Sequence, residues 1–175
     1  IFSLELFSPQ LCALLLAELA HFEASGLPAA RPNSMNRYGV LVDEIGLERL
    51  FDELRQRVLA PLAEALYPAA RQHALDHHHA FSVRYAQAGD RRLDMHHDDS
   101  EVTLNVCLGR HFEGAGLTFC GLYGSKEYRR HSVTYAHQPG HAVLHLGRQR
   151  HGADSITHGE RVSLVLWARS SSYRA

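Results

Sequence analysis

Residues 92–108 read RLDMHHDDSEVTLNVCL, two imidazoles beside two carboxylates just ahead of a stretch that alternates polar and apolar residues. Histidine nitrogens and carboxylate oxygens are donors that transition metals take from proteins. Side chains two apart on a strand share a face, so His96 with Asp98 can reach one ion together. His97 with Asp99 has the same spacing, and geometry alone does not choose between the pairs. The His-x-Asp pattern carries little weight by itself, because this composition generates about 0.6 of them by chance. A third donor must come from elsewhere. His151, in QRHGADSITHGERVSLVLW, follows a strand-and-turn signal and precedes a strand expected to start near Arg161. Arg161 and Ser163 share the strand face opposite Val162, Leu164 and Leu166. A guanidinium is the best side chain for holding a carboxylate, because its planar fork donates two parallel hydrogen bonds. Two histidines and one carboxylate on one side of an ion, with open positions opposite, suit non-haem Fe(II) and its use of O2.

These residues need a scaffold, and the chain changes character part-way. Ser8-Pro9 reads as an N-cap followed by proline at the first helical position. Leu11, Leu15, Leu19 and Phe22 recur at helical spacing, and Gly26 with Pro28 ends the element. A loop-like stretch over residues 27–46 contains the short apolar run YGVLV. A second helix follows with Leu47, Leu50, Phe51, Leu54 and Val58 on one face, kinked or restarted at Pro61 and running to about Tyr67. After residue 76 the pattern is strand-like. HHAFSVRY puts Phe81, Val83 and Tyr85 on one side. EVTLNVCL puts Val102, Leu104, Val106 and Leu108 on one side, with Thr103, Asn105 and Cys107 on the other. GLTFCG, HSVTYAH, HAVLHLG and RVSLVLWAR are further short strands bounded by turns. Helices followed by many short strands imply an α+β, mainly β chain, with a helical layer on a β-sandwich or jelly roll.

The 175 residues make one domain's worth, with 1–75 as helical support and 76–175 as the β core. The chain opens on Ile1 rather than Met, which predicts a piece of a longer protein. A net charge of -1 gives no bulk attraction to nucleic acid or to an anionic membrane. The longest apolar run, LCALLLAELA, is interrupted by Glu18 and predicts no transmembrane helix. Three cysteines without a CxxC pair argue against a disulfide framework and favour a reducing compartment, cytoplasmic or nuclear. The DHHH run at 76–79 points adjacent imidazoles to opposite strand faces, so it is not expected to bind one ion. YGSKEYRR, residues 123–130, is expected to be a solvated hairpin rather than a substrate-contacting loop.

From about residue 80 to the end, HHDDSEVTLNVCL, EGAGLTF and HGADSITHGERVSLVLW resemble, in order and spacing, the Fe(II)- and 2-oxoglutarate-dependent oxygenases. The resemblance is to the prolyl 4-hydroxylase and procollagen-lysine hydroxylase branch. The two helices and RPNSMNRYGVLVDE look like the 2-oxoglutarate and iron-dependent oxygenase domain-containing proteins. The resemblance implies a double-stranded β-helix with helices supporting its larger sheet. It also implies the register: Asn105 stands seven residues after Asp98, as the family's strand asparagine stands after its metal aspartate. His96, Asp98 and His151 are then the implied Fe(II) ligands, and His97 is the intervening residue, facing away. Arg161 is the implied partner of the far carboxylate of 2-oxoglutarate, where prolyl hydroxylases usually carry lysine. Tyr85 is an implied co-substrate contact; Asn105 and Ser163 are candidate pocket contacts. Thr103 and Cys107 are expected as plain lining, and Asp99 as a solvated turn residue. Ala115 replaces a glycine of the family's glycine stretch.

The implied activity is hydroxylation of a C–H bond, coupled to conversion of 2-oxoglutarate to succinate and CO2, with ascorbate keeping the iron reduced. The expected partner is a protein or peptide bearing a prolyl or lysyl residue. Nucleic acid or a small molecule is the second substrate class. The other readings are a non-catalytic metal-binding β-barrel that serves as an interaction module, and a hydrolytic zinc site, in which Arg161 would lack a clear role.

Overall fold

Ser8 caps α1 (Pro9–Ala24), its Oγ accepting from the Leu11 amide at 3.2 Å. Proline costs nothing at this first position, since its amide would have no partner within the helix. In the computed structural model, which describes residues 1–68 and 73–175, the buried side of α1 is Cys12, Leu15 and Leu19. A second helical stretch comprises α2 (Glu48–Leu54), a π-helical turn (Arg55–Leu59) and α3 (Ala60–Leu66). Pro61 has no amide to give and its ring would strike the carbonyl four residues back; widening the turn before it relieves both problems. The wider turn also shifts the helical phase. Phe51, Arg55, Leu59 and Ala63 face inward, while Leu50 is exposed and Val58 only half-buried, against the expected stripe. Arg55 is tolerated inside because its guanidinium donates to Asp52 Oδ1 at 2.8 Å and to the Leu75 carbonyl.

The strands are β1 (Phe2–Glu5), β2 (His77–Ala86), β3 (Leu93–His96), β4 (Val102–Gly109), β5 (Phe112–Gly114), β6 (Leu117–Leu122), β7 (Val133–Tyr135), β8 (His141–Leu146), β9 (Gln149–Ala153) and β10 (Ile156–Arg169). The larger sheet runs β1-β8-β4-β10-β2, with β5 paired to the first residues of β10. The smaller sheet runs β3-β9-β6-β7, and all pairings are antiparallel. The two sheets curl over one another as a jelly roll, the double-stranded β-helix that the sequence implied. Val102, Leu104, Val106 and Leu108 pack outward from the larger sheet against the helices. Phe81, Val83, Tyr85 and Val165 face inward, meeting Leu117 and Phe119 of the smaller sheet. The larger sheet is thus covered on both faces, and its inner face looks toward the smaller sheet.

Two features depart from the sequence reading. Residues 2–5 are not part of a purely helical support but form an edge strand, β1, paired with β8. β10 begins at Ile156 rather than near Arg161, its early residues pairing with β5 before it turns into the larger sheet. His151 follows β8 and its turn, as expected, and itself lies within a further short strand, β9. No helix among the described residues is long and apolar enough to cross a membrane.

One close approach positions the future site. The Asp98 amide donates to the Gly147 carbonyl at 3.0 Å, and the Gly147 amide donates to the Glu101 carbonyl at 3.1 Å. The turn between β8 and β9 is thereby laid against residues 98–101. A Cβ on Gly147 would collide with the Ser100 carbonyl oxygen, so only glycine permits the contact. Gly147→Ala is expected to lower stability by about 2 kcal/mol, a typical overpacking cost, read as a reduced urea midpoint at unchanged slope.

Candidate metal centre

His96 ends β3 and pairs directly with His151 of β9, so one register places both imidazoles side by side. Asp98 follows two residues later, beyond the strand, held by its amide bond to Gly147. His96 Nε2 lies 3.3 Å from Asp98 Oδ1, and His151 Nε2 lies 3.5 Å from the same oxygen. One donor atom from each residue falls within 4.8 Å of the other two, a separation that one metal ion can bridge. Among the described residues this is the one such group.

The tautomers are set by the backbone. His96 Nδ1 lies 2.8 Å from the Asp94 carbonyl, and His151 Nδ1 lies 2.8 Å from the Gln149 carbonyl. A carbonyl can only accept, so each Nδ1 carries the proton and each Nε2 presents a lone pair to the cluster. Burial opposes ionisation of Asp98, but the surrounding imidazoles, His151 foremost, outweigh it and hold the carboxyl well below the usual range. Burial pushes His151 down to about 3. A carboxylate and a neutral imidazole are the states a metal binds without first displacing a proton. The donor set, two imidazole nitrogens and one carboxylate oxygen, is consistent with Fe(II).

Asp98 is nearly inaccessible, its side chain 3% exposed, and its second oxygen is separately occupied. Thr103 Oγ1 donates to Oδ2 at 2.6 Å and in turn meets Ser100 Oγ at 2.7 Å. Thr103 is therefore not the plain lining residue expected from its place on β4. A third imidazole, His145, also escaped the sequence reading. Its Nδ1 lies 3.0 Å from the Leu146 carbonyl, and its Nε2 stands 3.6 Å from Asp98 Oδ2. Its ring packs 4.4 Å from that of His151 and 5.2 Å from that of Phe119. Strand alternation held the signal: with Ala142 and Leu144 outward in HAVLHL, Val143 and His145 must face the cavity.

The other predicted residues lie on the same inner face. Arg161 is fully buried, and its guanidinium carbon sits 4.8 Å from the Tyr85 ring centroid. One edge donates to the Ala115 carbonyl, while Nε and Nη2 have no hydrogen-bond partner. Ala115 presents that carbonyl from a left-handed backbone, φ +51°, a conformation that favours glycine. Asn105 Oδ1 and Ser163 Oγ, on neighbouring strands, are likewise buried without partners. Tyr85 is buried, and its hydroxyl accepts from Asn36 Nδ2 at 3.4 Å. Burial lowers the pKa of Arg161 from its ordinary value, as expected for a charge without a close counterion. A buried guanidinium with two open donor sites, beside a hydroxyl and an amide oxygen, fits an anionic ligand that bears a carboxylate.

The remaining histidines and carboxylates do not join the centre. His97 packs between Tyr123 and Tyr128, at ring separations of 5.3 and 5.4 Å. The 123–130 segment is the mostly exposed connection of the β6–β7 hairpin, as expected, and the contact with His97 holds its Tyr123 and Tyr128 rings. Asp99 pairs with Arg169 and Arg174. The 76–79 run diverges: His77 meets Asp76, His78 meets Asp52, and His79 meets the Pro32 carbonyl.

A family model described as the OGFOD2-like domain matches residues 1–72. The human 2-oxoglutarate and iron-dependent oxygenase domain-containing protein 2 is 45% identical over 175 residues, spanning 99% of this chain and 50% of that protein. The Arabidopsis thaliana protein ICU11, described in the same terms, is 43% identical over 183 residues, spanning 99% of this chain and 46% of that protein. The chain belongs to the Fe(II)- and 2-oxoglutarate-dependent oxygenase superfamily. It spans about half the length of these curated relatives. The oxygenase fold is also that of a Pseudomonas putida prolyl-4-hydroxylase, whose crystal structure superposes with a TM-score of 0.65 over 96% of this chain and 91% of that one, at 16% identity.

Two expectations test this geometry. Thr103→Val removes the hydroxyl that steadies Asp98 and should weaken Mn(II) binding, measured calorimetrically, by about 10–100-fold. The second concerns His137, between β7 and β8, where burial first and the Arg161 charge second push its pKa from 6.5 to about 3. Its unfolded form binds a proton that the folded form refuses, so its stabilising contribution is complete above pH 6.5 and is lost as pH falls toward 3. Urea midpoints should therefore fall through that window, and fall less steeply in His137→Gln.

Proposed function

We propose that this oxygenase domain is catalytic: an Fe(II)- and 2-oxoglutarate-dependent dioxygenase that hydroxylates a C–H bond in a prolyl or lysyl residue of a protein. The observation that carries it is the pairing, on one inner face, of the His96–Asp98–His151 cluster with the unsatisfied guanidinium of Arg161. A metal-binding module has no use for a buried cation beside its metal site, and a hydrolytic zinc centre leaves that cation without a task.

Each side chain has a defined part. His96 Nε2, His151 Nε2 and Asp98 Oδ1 would hold the iron from one side, leaving its other positions open. Bound iron with 2-oxoglutarate supplies O2 activation, in which the co-substrate loses CO2 to become succinate and one oxygen atom goes to the substrate carbon. Arg161 offers Nε and Nη2 to the far carboxylate, and Tyr85, Asn105 and Ser163 line its path. The inner cavity between Tyr85, Asn105 and the metal cluster is narrow, about 30 Å³. A five-carbon diacid therefore enters by displacing side chains, and the packed inner face then shields the reaction from water. Ascorbate is retained in the reading as the reductant that returns stalled iron to the ferrous state.

The prolyl-4-hydroxylase likeness and the near-neutral charge support a peptide rather than a nucleic acid. The free cysteines Cys12, Cys107 and Cys120 fit a reducing cytoplasmic or nuclear setting. The decisive assay is succinate formation from 2-oxoglutarate with Fe(II), O2 and ascorbate, without a prime substrate. Turnover should vanish in His151→Ala, and in Arg161→Ala the KM for 2-oxoglutarate should rise about 100-fold, the scale of losing one partner of a buried charge pair. Metal binding with no dependence on 2-oxoglutarate would overturn the reading in favour of an interaction module.

A further inference from the structure

Outside the inner cavity, on the other side of His96, lies a cleft of about 320 Å³. Its lining includes the segment carrying Asn33, Met35 and Asn36 together with His79, Trp167 and Arg169. Asn33 and Asn36 border both spaces, as do Leu93, His96 and Trp167, so this segment forms part of the partition between them. It is locked in place by its own amides. Asn33 Oδ1 accepts from the Met35 and Asn36 backbone amides at 2.8 and 2.7 Å, and its Nδ2 donates to Asn36 Oδ1 at 3.0 Å. Asn36, almost fully buried, then reaches Tyr85 across the partition.

The charge of the cleft decides what it can take. Asp99 is the carboxylate lining it, and both oxygens are already engaged: Arg169 Nη2 holds Oδ2 at 2.8 Å, and Arg174 Nη1 holds Oδ1 at 2.7 Å. Arg169 itself lines the cleft. A cation entering here meets a guanidinium and finds no free carboxylate, so it would give up its hydration without compensation. The Trp167 indole and the Met35 thioether offer instead an apolar, polarisable surface. We infer that the cleft is a charge filter for the prime substrate: it seats an uncharged, prolyl-type residue of an extended peptide beside the metal and rejects a lysyl residue. The part of the partition formed by Asn33, Met35 and Asn36 is its specificity element. This rests on the oxygenase reading for what happens next to the seated residue, but not for the seating itself.

Trp167 is the chain's single tryptophan, so its emission reports the cleft directly. The full chain, loaded with Mn(II) and 2-oxoglutarate to prevent turnover, is titrated with two capped pentapeptides that differ only in a central prolyl or lysyl residue. The prolyl peptide should change Trp167 emission saturably, with the lysyl peptide binding at least about 10-fold more weakly, a difference of about 1.4 kcal/mol. Met35 is 44% exposed, so Met35→Glu should fold normally while placing an unpaired carboxylate in the cleft, and it should reverse the preference. Equal or tighter binding of the lysyl peptide, a preference untouched by Met35→Glu, or no response to either peptide would overturn the inference. A prolyl preference in a protein that forms no succinate with iron would leave the filter standing and remove the oxygenase reading instead.

Discussion

Asp98 keeps a negative charge where water scarcely reaches, and the surrounding structure is arranged to make that tolerable. An ionised carboxylate moved into a protein interior loses several kcal/mol of hydration unless other groups replace it. Here Oδ2 takes the Thr103 hydroxyl and stands near His145, while Oδ1 lies with the His96 and His151 nitrogens, where a bound cation would balance its charge. Those partners come from β3, β4, β8 and β9, so satisfying a single side chain fixes how the two sheets meet. The Gly147 turn supplies the backbone half of the same arrangement, because the residues around Asp98 can lie where they do only against a backbone without a side chain.

Arg161 poses the complementary problem on the same face. It is a buried cation with hydrogen-bonding capacity left over, in a fold where most polar groups are matched. The two charges lie on the inner side of the fold, one suited to a metal and the other to an anion. The N-terminal region is part of this arrangement rather than a remote brace. Its asparagine-rich segment reaches Tyr85 and closes one side of the cavity, while β1 extends the larger sheet.

Residue types and spacing marked the His/Asp cluster, His151 and Arg161 as candidates, and the resemblance to the oxygenases then selected His96 and Asp98 over His97 and Asp99. His96, Asp98, His151 and Arg161 stood out because few other chemistries ask for that combination, and the alternation in EVTLNVCL and RVSLVLWAR gave the correct inner and outer faces. What escaped depended on partners far away in the chain. His145 matters because of Asp98, and Asn36 because of Tyr85, 49 residues distant; alternation in HAVLHL could turn His145 inward but could not name its partner. Alternation could not choose between His96–Asp98 and His97–Asp99, because β3 ends at His96 and Asp98 is placed by a backbone bond to Gly147. The helical phase after Phe51 slipped for a related reason: Pro61 was visible, but the widened turn that absorbs it was not.

Ala115 marks a compromise written into a single methyl group. An alanine held in the left-handed region costs the chain on the order of 1 kcal/mol relative to a relaxed backbone, and glycine would remove that cost. The same strained unit aims its carbonyl at the guanidinium across the barrel. A glycine there would widen the range of directions that carbonyl samples, so gains in thermal robustness at this point would come with a less sharply oriented arginine. Adaptation of such a barrel to heat or to cold therefore has one cheap dial, and turning it trades rigidity of the scaffold against aim at the reacting end.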